Sequence, residues 1–249
     1  MSTEDAFARW TRRMRRAEPG RTALVCFPPG GGAAGGYRAL ANHIGSGTGV
    51  YAVQYPGRRD RLRDTLIPCL IELADEVTAA IEPLFGGELA LFGHSMGATV
   101  AFETARRLEA RGQKVTALFA SGRTAPSEPV SDRLADTGDA ALIAEMERLA
   151  NDPASVAVLR TDPALAAAVL PAVRNDYLAI EKYGYTPGEP LRCPIIALTG
   201  ELDPVVTPAQ VERWSTHTTG WFEMHTFPGS HFYLDAQPAA IAQVINSCI

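Results

Sequence analysis

Apolar runs of five to seven residues recur along the chain. Between them lie stretches in which apolar positions fall three or four apart. Residues 22–27, 49–55, 88–92, 114–120, 194–199 and 221–227 are of the first kind and predict strands. Residues 68–84 are of the second kind, with Leu70, Ala74, Val77, Ile81 and Leu84 on one helical face. Residues 96–111, 207–216 and 236–247 also read as helices. Strands that alternate with helices predict an α/β protein with a mostly parallel sheet covered on both faces.

Residues 126–186 break this rhythm, because no convincing strand falls within them. Two Asp-Pro pairs, Asp152-Pro153 and Asp162-Pro163, each suit a helix start, with Asp at the N-cap and Pro at the first helical position. Leu142, Met146 and Leu149 mark one apolar face, and Leu165, Val169, Leu170 and Val173 another. A single crossover needs far fewer residues. The segment is therefore expected to be a helical lid inserted into one domain spanning residues 1–249.

Composition narrows the class. The chain has 249 residues, 46% of them hydrophobic and 20% charged, which suits a globular protein with a sizeable core. The formal net charge of −5 argues against a nucleic-acid partner. No run of about 18 apolar residues predicts a membrane span, and the N-terminus has no apolar signal region. Cys26, Cys69, Cys193 and Cys248 form no C-x-x-C pair, so buried reduced thiols and a cytoplasmic location are expected. The five histidines show no metal-binding spacing, and no metal or other cofactor is predicted. Arg9, Arg12, Arg13, Arg15 and Arg16 read as a solvated helical or frayed extension, or as a docking patch for an acidic partner.

The chemistry starts at Gly93-His94-Ser95-Met96-Gly97, which stands between a predicted strand and a predicted helix. That is the setting of a nucleophile elbow, whose bend is too sharp for side chains two residues either side of the serine. Serine needs a base, and in this arrangement an acid and then a histidine follow in the chain. Asp203 follows the 194–199 strand and His231 follows the 221–227 strand, so both emerge at C-terminal strand ends. Glu201 is the rival acid. Ser121-Gly122-Arg123-Thr124, after the 114–120 strand, offers no carboxylate. His94 reads as a supporting residue; His43 and His217 fall in helix-like positions and His225 in a strand-like one. An oxyanion hole needs two backbone N–H groups. Met96 is expected to give one, and Gly30 or Gly31 of Pro28-Pro29-Gly30-Gly31-Gly32 the other, with Gly30 preferred.

Taken with Gln54-Tyr55-Pro56-Gly57-Arg58, these segments resemble the stand-alone type II thioesterases of polyketide and nonribosomal peptide synthesis, members of the α/β-hydrolase superfamily. The first loop departs from the family's frequent Pro-His-Ala-Gly-Gly. The resemblance implies a Ser95–His231–Asp203 acyl-enzyme mechanism and substrates held on the phosphopantetheine of acyl or peptidyl carrier proteins. It also gives Arg58, Arg59, Arg61 and Arg63 a docking role, against which stands ordinary salt bridging. A small-molecule esterase, a chain-releasing thioesterase and an inactive scaffold are the alternatives. The Met1 start, without an attached carrier domain, speaks against the chain-releasing form, and a monomer is expected.

Overall fold

Residue alternation along each strand sorts side chains to the two faces of one sheet. The computed structural model describes residues 2–16, 21–85, 87–128 and 133–249. Seven strands form the sheet: β1 (Thr11–Arg15), β2 (Ala23–Phe27), β3 (Gly49–Val53), β4 (Leu89–His94), β5 (Val115–Ser121), β6 (Ile195–Gly200) and β7 (Phe222–Phe227). Their order is β1-β3-β2-β4-β5-β6-β7. β1 runs antiparallel to β3, and every other pairing is parallel. The helices are α1 (Thr3–Trp10), α2 (Arg38–His43), α3 (Leu70–Ala80), α4 (Met96–Ala110), α5 (Asp139–Leu149), α6 (Pro153–Ala157), α7 (Pro163–Glu181), α8 (Pro208–Glu212), α9 (Tyr233–Ala236) and α10 (Pro238–Cys248).

Val25, Phe27, Leu89, Leu91, Ile195 and Ala197 enter one core with residues of α3 and α4. Their alternate neighbours Leu24, Cys26, Ala90, Phe92, Ile196 and Leu198 enter a second core with α2 and α10. Burial on both faces explains why the central strands read as continuous apolar runs. The predicted strands and helices fall within a few residues of those observed. The predicted 207–216 helix is α8 followed by a tighter 3-10 turn, Arg213–His217.

The N-terminus is helical as expected only as far as Trp10, and the chain beyond it forms a strand. α1 begins with a capping box between Ser2 and Asp5, and Arg12, Arg13 and Arg15 lie in edge strand β1. Edge strands tolerate charge because one side is open to water, so the apolar pattern that marks a strand is missing there. Arg9 pairs with Asp64 at 3.0 Å, Arg12 pairs with Asp60, and Arg15 donates to the Ile44 carbonyl.

Between β5 and β6 the chain builds α5, α6 and α7, as the Asp-Pro pairs predicted. Asp152 accepts the Ala154 N–H at 3.2 Å and Asp162 the Leu165 N–H at 3.0 Å. Leu142, Ile143, Leu159, Leu170 and Val173 close a core of their own, separate from the two sheet cores. Residues 129–132 of the expected insertion lie outside the described residues. Among those described, no single helix is long and apolar enough to cross a membrane.

Candidate active site

β4 delivers Ser95 through a turn that only glycine neighbours permit. Ser95 has φ 53° and ψ −123°, a strained backbone for a residue with a Cβ. A Cβ on Gly93 would lie 2.2 Å from the Gly97 carbonyl oxygen, and one on Gly97 would lie 2.0 Å from that of Phe27. The G-x-S-x-G spacing is thus a steric requirement of the bend between β4 and α4. Ser95 is half-buried and lines a cavity of ≈ 140 Å³ together with His231. Met96 opens α4, so its N–H has no intrahelical acceptor and is free to serve a ligand.

His231 follows β7 and is buried. Its Nδ1 lies 2.9 Å from Asp203 Oδ2 and 3.1 Å from Oδ1, which leaves Nε2 as the nitrogen available to a substrate or nucleophile. The Asp203 carboxylate is fully shielded from solvent and also accepts the Val205 N–H at 2.9 Å. Glu201 is exposed, so Asp203 is the carboxylate that holds the imidazole.

The glycine loop after β2 is fixed from α7. Gly31 donates its N–H to Asp176 Oδ2 of α7 at 2.8 Å, and a Cβ there would lie 2.9 Å from Val173 Cγ2. That N–H is engaged and so is not offered to a ligand, whereas Gly30 lines the Ser95 cavity. Asp176 was not legible in the sequence: nothing local marks a mid-helix aspartate as a partner for a loop 145 residues away.

The same aspartate corrects the docking role expected of Arg58. Arg58 is buried; its Nη1 and Nη2 reach Asp176 Oδ2 and Oδ1 at 2.8 and 2.9 Å, and Nη1 also donates to the Gly32 carbonyl at 2.9 Å. Arg61 is buried as well. Its guanidinium lies 4.2 Å from the Trp10 ring centroid and donates to Asp64 Oδ2 at 2.7 Å and to the Gln54 carbonyl at 2.7 Å. Both side chains point inward because a carboxylate or carbonyl there replaces the water they lose. Arg59 and Arg63 remain exposed.

Truncating one member of a buried ion pair leaves an uncompensated charge and costs about 3–5 kcal/mol. Asp176→Asn is therefore expected to lower the unfolding free energy by about 3 kcal/mol, read by urea denaturation. It should also cut kcat roughly 100-fold as the glycine loop drifts. Unchanged stability together with unchanged kcat would refute this role.

His94 lies beneath the site as the expected supporting residue. Its Nδ1 is 2.9 Å from Ser121 Oγ, which in turn bonds the Tyr233 hydroxyl, while Nε2 is buried without a partner among the described residues. The His94 and His231 ring centroids are 5.0 Å apart. Gly122, with φ 58°, makes room: a Cβ there would lie 2.7 Å from His94 Cε1. Burial foremost, then the neighbouring His231, holds the His94 pKa well below its ordinary 6.5. Below that pH the unfolded chain binds a proton that folded His94 refuses, so stability falls as pH falls. Buried His217, lowered by burial and then by Arg106, acts in the same direction. Urea midpoints are expected to drop between pH 7 and pH 5.5, and less so in His94→Gln. A midpoint equally steep in both proteins would assign the effect elsewhere.

A parallel sheet with one antiparallel edge strand, a serine on a strained strand-to-helix turn, and a histidine–aspartate pair at later strand ends define an α/β-hydrolase. Within that class the chain belongs to the thioesterase family, whose domain matches residues 22–249. It is 42% identical over 249 residues to a probable cadicidin biosynthesis thioesterase of Streptomyces griseus, covering 98% of this chain and 68% of that one. Among solved structures it is similar to the type II thioesterase BorB from the borrelidin biosynthetic cluster, with TM-score 0.85, 41% identity, and 96% and 95% of the two chains covered. It is also similar to YbtT, a type II thioesterase from the yersiniabactin NRPS/PKS pathway, with TM-score 0.85, 29% identity, and 96% and 97% covered. The protein is accordingly a hydrolase acting on thioesters.

Proposed function

We propose that this thioesterase serves a polyketide or nonribosomal peptide assembly line, clearing stalled or aberrant acyl groups from the phosphopantetheine arms of carrier proteins. The observation that carries this reading is similarity over nearly the whole chain to type II thioesterases of such pathways, combined with one cavity lined by Ser95 and His231. In the proposed mechanism His231 Nε2 takes the Ser95 proton as Oγ attacks the thioester carbonyl. The N–H groups of Met96 and Gly30 hold the oxyanion. The C–S bond breaks, the pantetheine sulfur leaves with the proton from His231, and the acyl group stays on Ser95. A water deprotonated by His231 then attacks the acyl-serine, and Ser95 regains its proton as the acid departs. Asp203 keeps Nδ1–H pointed away from Ser95 and stabilises the imidazolium.

The lid segment shapes the acyl chamber, since Leu149 of α5 and Tyr177 and Ile180 of α7 line the Ser95 cavity. Of the two basic runs, exposed Arg13, Arg16, Arg59 and Arg63 are left to meet an acidic carrier protein. The test compares one short acyl group on a carrier protein, on a pantetheine thiol and as an oxygen ester. The carrier-bound thioester is expected to be the best substrate by kcat/KM. Equal or better turnover of the oxygen ester would reassign the protein as a general esterase.

A further inference from the structure

A chamber for plain alkyl chains has no use for a cation, yet Arg123 lines the cavity that holds Ser95 and His231. It follows Gly122 at the end of β5 and is anchored at its backbone, where its carbonyl accepts Trp214 Nε1–H at 2.9 Å. Its Nε donates to Thr99 Oγ1 at 3.3 Å. Neither Nη group has a hydrogen-bond or ion-pair partner among the described residues. Arg58 and Arg61, by contrast, are each held by a carboxylate. Burial lowers the Arg123 pKa to about 10, which leaves it charged at neutral pH.

Two carboxylates share the chamber, and both are engaged away from Arg123. Glu145 takes Arg148 Nε and Nη2 at 2.6 and 2.7 Å. Glu181 Oε1 accepts the N–H groups of Leu134 and Ala135, the latter at 2.9 Å. The Glu181 charge, met among the described residues only by neutral N–H groups, disfavours an anion in the same space, whereas a neutral oxygen meets no such repulsion. A guanidinium with free donors is the complement of a carbonyl or hydroxyl oxygen. Because Arg123 and Ser95 line one cavity of ≈ 140 Å³, the group that meets Arg123 is part of the short acyl chain carried to Ser95.

Resting on the thioesterase reading above, we infer that Arg123 is a specificity residue that binds the 3-oxo or 3-hydroxy oxygen of short acyl groups. The enzyme thereby favours β-oxygenated acyl thioesters over fully reduced ones. A site built to donate to a substrate oxygen discriminates against the analogue that lacks it, because its donors are then left unpaired.

The test measures kcat/KM for the butyryl, 3-hydroxybutyryl, 3-oxobutyryl and malonyl thioesters of N-acetylcysteamine, with wild type, Arg123→Met and Arg123→Lys, and Ser95→Ala as the blank. The ratio of each oxygenated substrate to butyryl is expected to fall about tenfold from wild type to Arg123→Met, with partial recovery in Arg123→Lys. The intrinsic reactivity of each thioester cancels between variants, and a loss of folded enzyme leaves the ratio alone. A ratio equal in wild type and Arg123→Met would overturn the inference, as would a wild-type preference for malonyl over both neutral substrates. Butyryl turnover with either of those results leaves the thioesterase reading intact; no turnover of any thioester above the blank would instead remove that reading.

Discussion

Ser95→Ala is expected to fold as the wild type does and to lose roughly four to six orders of magnitude in kcat on any thioester. Its hydroxyl is the proposed nucleophile, and the remaining oxyanion donors and binding contacts give only residual catalysis. Alanine keeps the Cβ and so keeps the strain of φ 53°. Glycine adopts that backbone freely, so Ser95→Gly should be equally inactive yet more stable than Ser95→Ala by about 1 kcal/mol. Thermal unfolding and single-substrate kinetics on the three proteins check both halves. Near-wild-type kcat in Ser95→Ala would remove the nucleophile assignment. Equal stability of the alanine and glycine variants would mean that the turn carries no strain.

Asp203→Asn is expected to cost about 10⁴ in kcat, the scale seen when a triad aspartate loses its charge. The carboxylate accepts from His231 Nδ1 and, through Oδ1, from the Val205 N–H. An amide can offer its N–H₂ to Nδ1 instead, which stabilises the tautomer with the proton on Nε2 and removes the base from Ser95. Glu201→Gln should leave kcat within about twofold, because an exposed side chain exchanges one solvated group for another. The reverse ranking of the two variants would move the acid to Glu201.

The Ser95, Asp203 and His231 set was legible because each stands directly after an apolar strand, and strand ends in a parallel sheet gather at one edge. Two helices between β5 and β6 were legible for a local reason too: Asp152 and Asp162 cap the helices that Pro153 and Pro163 begin. β1 was not, since its arginines obey the solvent on an open edge rather than a buried alternation. The two inward-facing arginines are the sharper case. In sequence Arg58, Arg59, Arg61 and Arg63 form one basic run, yet the fold buries Arg58 and Arg61 and leaves the other two outside. What separates them is the position of Asp176 on α7 and of Trp10 on α1, partners fixed by tertiary packing rather than by spacing. The choice of Gly30 over Gly31 likewise became physical once Asp176 was seen to occupy the Gly31 N–H.

The central claim is that Ser95 is the nucleophile of this thioesterase, and covalent labelling tests it most directly. The protein would be treated with a fluorophosphonate, digested and mapped by mass spectrometry, with hydrolysis of a short acyl-pantetheine thioester followed in parallel. A single adduct on Ser95, formed in step with the loss of activity and absent from the Asp203→Asn, His231→Ala and Ser95→Ala proteins on the same timescale, is the predicted result. A fully labelled protein that still hydrolyses thioester, or inactivation that tracks an adduct on another residue, would contradict it.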